Sequence, residues 1–144
     1  MATLPVGSCQ NPMAPLSFKL NQTYQGKHMS VTNLKIAPIV PIKDGEKTSK
    51  QVLISREEAP NFAMRRFIIE AGGFMPLHTN SVEHEQFCLA GEAEVIIGDE
   101  TTIVKKNDVV FIPAGVSHSY RTISEEAFEF LCLVPNQEDT IEIK

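Results

Sequence analysis

From Leu34 onward the chain runs in short apolar segments, LKIAPIVPI, QVLIS and FAMRRFIIE, each bounded by Pro, Gly, Asp or Asn. Such punctuation marks β-strands, and no long stretch keeps a helical period. Pro38 and Pro41 lack a ladder donor, so the first segment is expected at a sheet edge. Lys43-Asp44-Gly45-Glu46 reads as a turn, and Glu57 to Asn61 as another, with one helical turn around Arg56-Glu57-Glu58. Glu94 to Ile97 and Thr101 to Val104 flank Gly98-Asp99-Glu100 as a hairpin. Val109 to Ile112, a turn at Pro113-Ala114-Gly115, His118-Ser119-Tyr120 and Ala127 to Val134 complete the series. In the last segment Phe128, Phe130, Cys132 and Val134 share one face by the period of two, and Glu129, Leu131 and Leu133 the other. Both faces are largely apolar, so the strand is expected either between two sheets or half buried against another subunit, and the second alternative gives a homodimer. Short strands separated by turns argue for an all-β sandwich or barrel.

Residues 1–28 break this pattern, with Pro5, Pro12, Pro15, Gly7 and Gly26 and no sustained period. They are expected to be irregular; His28-Met29-Ser30 resembles a cloning junction, which leaves open whether part of the segment is native, and His28 is discounted as a ligand. Residues 29–144 then form one domain. A length of 144 residues with 42% hydrophobic content suits a single buried core. The net charge of −5, with both signs interspersed, offers no basic stripe and argues against nucleic acid as a partner. No apolar run is long enough for a membrane span, and no signal-peptide pattern opens the chain, so no membrane association is expected. Cys9, Cys88 and Cys132 are an odd set without metal-type spacing, which points to a reducing, cytoplasmic setting.

Chemistry concentrates between Gly72 and Gly91, GGFMPLHTNSVEHEQFCLAG, and again at His118 behind the Pro113–Gly115 turn. With these residues in place the chain resembles the cupins, the double-stranded β-helix or jelly-roll family. Gly72, His78, Asn80, then His84 or Glu85, and Gly91 stand where the first cupin motif has a glycine, His-x-His, an acidic ligand and a closing glycine. Asn107, Pro113, Gly115, His118 and Thr122 occupy the places of the second motif. Three positions depart from the pattern: Asn107 for a glycine, Thr122 for a structural asparagine, and Asn80 for the second histidine. Asn tolerates the left-handed backbone, so the turn at Asn107 is expected to survive. The wording EHEQF is similar to a small-cupin subset in which a histidine replaces the acidic ligand, giving four histidines around manganese or a related ion.

The resemblance implies an all-β cupin jelly-roll barrel whose mouth holds a divalent transition metal (Mn, Fe, Ni, Cu or Zn) on His78, Asn80, His84 and His118. His78 and Asn80 are two apart and project from one strand face. A shift of one residue reverses the face, so His84 and Glu85 are not both expected to point at one ion from one strand; the resembling subset places a histidine there, which favours His84, and a solvated turn of Glu83, His84 and Glu85 is the plain alternative. The amide oxygen of Asn80 is a weaker donor than imidazole, and water could stand in for it. Such an open site suits a metal-dependent oxygenase or lyase acting on a small molecule. The alternative is a metal-poor cupin that binds or senses a small molecule. Gln86, Tyr120 and Arg66 could hydrogen-bond that ligand, though strand polarity explains each more simply. Cys88 and Cys132 are expected to be core thiols, and Phe111, Phe128 and Phe130 to fill the barrel.

Overall fold

The structure, a computed structural model, describes residues 20–144. Its strands are β1 Leu20–Tyr24, β2 Lys27–Val31, β3 Val40–Pro41, β4 Glu46–Ile54, β5 Phe62–Asn80 and β6 His84–Ala90. They continue with β7 Glu92–Ile97, β8 Glu100–Lys105, β9 Val109–Ile112, β10 His118–Thr122, β11 Phe128–Pro135 and β12 Ile141–Ile143. All pairings are antiparallel, and among the described residues there is no α-helix. The fold is an all-β jelly roll.

β5 is its spine. The first half, Phe62 to Ile69, pairs with β4 on one side and β11 on the other; the second half pairs with β10 and β12. One long strand therefore belongs to two sheet layers, β3-β4-β5-β11-β6-β9 and β12-β5-β10-β7-β8. The change of layer falls at Gly72 and Gly73. Gly72 has φ +73°, and a Cβ on Gly73 would lie 2.8 Å from the Glu46 carbonyl oxygen and 2.9 Å from that of Glu70. Only glycine permits both the bend and the approach.

Between the layers lies one core of Phe67, Ile69, Cys88, Val95, Ile112, Phe128, Phe130, Cys132 and Val134 with their smaller neighbours. Burying each large apolar side chain contributes about 1.5–3 kcal/mol. β11 shows why this sequence makes this element: its even-numbered residues from Phe128 to Val134 are at most 1% exposed, while the odd ones are half-buried on the outer face. Phe111 departs from expectation. It sits on the outer side of β9 at 55% exposure, because Val110 and Ile112 take the inward positions of that strand.

The turns follow their residues. Gly98 and Asp99 close the β7–β8 hairpin between Ile97 and Glu100, with Gly98 at φ +60°. Asn107 adopts φ +76°, the left-handed conformation it was expected to tolerate in place of glycine. Thr122, in place of asparagine, donates its hydroxyl to the Ile69 carbonyl at 2.9 Å inside the core. β3 is a two-residue edge piece paired only with β4, as Pro38 and Pro41 require.

In the N-terminal stretch expected to be irregular, residues 20–28 instead belong to a hairpin that runs past the anticipated domain start at 29. β1 and β2 pair around Gln25-Gly26, whose φ values of 50° and 76° give the tight left-handed turn a two-residue hairpin needs. Residues 1–19, with Cys9, lie outside the described residues.

Candidate metal centre

Three histidines meet inside the barrel near one end. His78 on β5 and His118 on β10 are direct cross-strand partners, with ring centroids 4.2 Å apart. His84 comes from the opposite layer, on β6, and its ring lies 5.4 Å from that of His118. All three are buried, at 6%, 1% and 6% exposure for His78, His118 and His84. Strand parity decides the Glu85 alternative: His84 points inward, and Glu85 is half-buried on the outer face opposite Phe111.

Backbone carbonyls fix two of the rings. Nδ1 of His78 lies 2.8 Å from the Pro76 carbonyl oxygen, and Nδ1 of His118 lies 2.9 Å from that of Val116. A carbonyl only accepts, so each Nδ1 carries a proton, which leaves Nε2 as the nitrogen a metal would use. Burial lowers the His84 pKa to about 3, helped by the Arg65 charge and the two neighbouring imidazoles. Burial likewise takes His118 down to about 4, against the opposing pull of the Val116 carbonyl. Both rings are therefore neutral at physiological pH, the state a metal ligand requires.

Asn80, 4% exposed, lines the same cavity. Its Nδ2 donates to Asp139 Oδ2 at 2.7 Å, while Oδ1 is buried without a partner. Asp139 also accepts from the Ser81 backbone N–H at 3.1 Å, so the segment leading into β12 clamps the end of β5. The buried atoms that lack hydrogen bonds include Nε2 of His84, Nε2 of His118 and Oδ1 of Asn80. Each such group costs about 1–3 kcal/mol if left unmet. Imidazole nitrogen and amide oxygen are both donors a divalent cation accepts, so the chemistry of the donor set fits a metal. The rings are still more open than a finished cage: among the described residues no group of three or more His, Cys, Asp or Glu is arranged to hold a metal ion as it stands.

The cavity has a volume of about 110 Å³ and is walled by the histidines, Asn80, Phe130, Met75, Ile141 and Ile143 among others. Gln86 and Tyr120 reach it from opposite layers, with Gln86 Nε2 donating to the Tyr120 hydroxyl at 2.6 Å. Burial pushes the Tyr120 pKa upward, so the phenol stays protonated. Cys88 and Cys132 are free, buried thiols; burial raises both, Cys88 to about 11, and neither is poised as a nucleophile.

The cupin domain family pattern matches residues 65–134. A solved cupin 2 domain-containing protein from Halorhodospira halophila is 31% identical, with a TM-score of 0.61 over 65% of this chain and 67% of that one. The chain belongs to the cupin family. A further solved structure, the polyketide cyclase RemF from Streptomyces resistomycificus, superposes with a TM-score of 0.74 over 80% of this chain and 84% of that one, at 22% identity. The 1-methylthio-D-xylulose 5-phosphate methylsulfurylase of Rhodospirillum rubrum is 30% identical over 63% of this chain and 58% of its own length. This cupin spans less than two thirds of the length of the curated relatives it matches.

Several residues of the site escaped sequence reasoning. Asp139 lies beyond the cupin motifs, and nothing in its local sequence links it to Asn80. Arg65, rather than Arg66, faces the cavity; Arg66 points outward, where Glu129 and Gln51 accept from its guanidinium. Parity with buried Phe67 and Ile69 was the available signal. His28 is exposed and lies 3.8 Å from Glu58, away from the centre.

Proposed function

We propose that this cupin binds a divalent transition metal through His78, His84 and His118, with Asn80 Oδ1 or water completing the set, and acts as a metal-dependent oxygenase or lyase on a small molecule. The carrying observation is the buried group of three imidazoles, two held by carbonyls through Nδ1 and two with Nε2 lacking any partner. When bound, the ion would supply Lewis acidity, and a redox-active one a place for oxygen. The chain's own part is to keep His84 and His118 unprotonated, to wall the cavity with Phe130, Ile141 and Ile143, and to orient a ligand with Gln86 and Tyr120. The names of two similar proteins, a methylsulfurylase and a polyketide cyclase, agree with work on small molecules.

The test is elemental analysis of protein purified without a metal-affinity step, before and after reconstitution with Mn²⁺, Fe²⁺, Ni²⁺, Cu²⁺ and Zn²⁺. About one ion per chain is expected. A stoichiometry near zero for every metal would defeat the proposal. A second reading, a small-molecule binding module working without metal, draws on Asn80, whose amide is already engaged by Asp139. Ligand-induced thermal stabilisation persisting in chelator would favour it.

The same reading includes a cytoplasmic homodimer. Phe87, Val109 and Phe111 form an outward apolar patch at 41%, 74% and 55% exposure, and the register places Phe87 beside Val109. β9, which carries two of them, pairs only with β6 and so ends its layer. An apolar patch on an edge strand is a surface suited to association.

A further inference from the structure

Among the described residues, two cations face the barrel interior with no carboxylate bound to them. Arg65 shares the inward parity of Ala63, Phe67 and Ile69 on β5 and lines the cavity with the histidines. One Nη donates to the Cys132 sulfur at 3.4 Å, a weak acceptor, and the guanidinium stands 5.1 Å from the Phe67 ring centroid. Its Nε is buried with no acceptor. Lys50, directly across from Phe67 on β4, lines the same cavity. Among the described residues the ion pairs are His28–Glu58, Arg66–Glu129 and Lys144–Glu142, so neither cavity cation is paired. Asp44 is the one acidic lining residue, and it is solvent-exposed. Next door in sequence, outward-facing Arg66 has acceptors from both Glu129 and Gln51. The inward arginine is the one left short.

A half-buried guanidinium with an unmet N–H favours an incoming anion, and its planar edge suits a carboxylate. At about 110 Å³ the cavity is well below the roughly 300–1,000 Å³ clefts that take drug-sized ligands. Phosphate is usually cradled by a helix N-terminus or a nest of backbone N–H groups, and the described residues contain no helix. We propose that Arg65, assisted by Lys50, receives the carboxylate of a small organic acid whose other end faces the imidazoles. This rests on the cavity being the ligand site, as proposed above, and does not require the metal.

Calorimetric titration of the full chain with acetate, malonate and inorganic phosphate, against chloride at matched ionic strength, tests it in EDTA-stripped and Mn²⁺-loaded protein. Saturable binding of a carboxylate is expected in both forms. Arg65→Gln should weaken it at least about tenfold, the loss of one charge-assisted hydrogen bond. Arg65→Lys should recover part of it, and Lys50→Gln should have a smaller effect. If Arg65→Gln fails to melt cooperatively, Arg65→Lys and Lys50→Gln carry the test, and wild-type affinity in both would overturn the proposal. It is also overturned if no carboxylate binds either form, if folded Arg65→Gln binds as wild type does, or if phosphate or chloride competes equally well. Carboxylate binding without Mn²⁺ uptake would sink the metal proposal and leave this one standing. Mn²⁺ uptake without carboxylate binding would do the reverse.

Discussion

His78 and Asn80 occupy neighbouring inward positions on β5, yet one offers a strong nitrogen donor and the other an amide oxygen. Asn80→His is therefore the most informative substitution. The introduced imidazole could donate to Asp139, a carboxylate–histidine pairing that raises ligand basicity. We expect metal retention to tighten by about tenfold or more, measured by competition with a chelator; unchanged retention would mean position 80 does not face the ion. Protonation gives a second residue-scale prediction. His84 and His118 are held at about 3 and about 4, below the ordinary 6.5. The unfolded chain thus binds more protons between these values, so their contribution to stability is whole above pH 6.5 and is lost as pH falls toward 4 and 3. Metal-free protein should melt at progressively lower temperature across that window, and His118→Gln should flatten the decline; parallel pH curves for the two proteins would refute the assignment. At this scale the sequence was only partly legible. Motif spacing singled out His78, His84 and His118, and the structure brings their rings together. Arg65 and Asp139 were hidden, because one depends on which of two adjacent arginines turns inward and the other on a contact across 59 positions of sequence.

At the scale of elements, alternating apolar residues and turn glycines made β5 to β11 readable, since a strand with one buried face must repeat every second position. The N-terminal hairpin was missed because Gln25-Gly26 is a weak turn signal beside Asn-Gly or Asp-Gly, and its flanks are polar. Phe111 was misplaced because an apolar run such as Val109 to Ile112 does not reveal which of its two faces is inside. Gly91, between β6 and β7, shows how tightly these elements are joined: with φ +70°, a Cβ there would lie 2.3 Å from the Ala127 carbonyl oxygen. Gly91→Ala should destabilise the protein by at least about 2 kcal/mol in chemical denaturation, through both backbone strain and the clash with β11's approach. A loss within experimental error would mean that the Ala127 segment yields freely.

For the whole molecule, the outer patch of Phe87, Val109 and Phe111 carries the expectation of a dimer. Sedimentation should give a dimer for the wild type and a monomer for Val109→Lys combined with Phe111→Lys, with the metal content per chain unchanged. A monomeric wild type would leave the patch without this role. The long β5 strand has a further consequence, in terms of time. Because one strand threads the core at Phe67 and Ile69 and, beyond its bend at Gly72 and Gly73, delivers His78 and Asn80, the centre is tied to the core by its backbone. Amides around His78 should exchange with solvent only as slowly as those of the core. An ion would then enter and leave past the cavity's mouth, at a pace set by how fast water and small solutes pass Ile141 and Ile143, while the barrel stays folded.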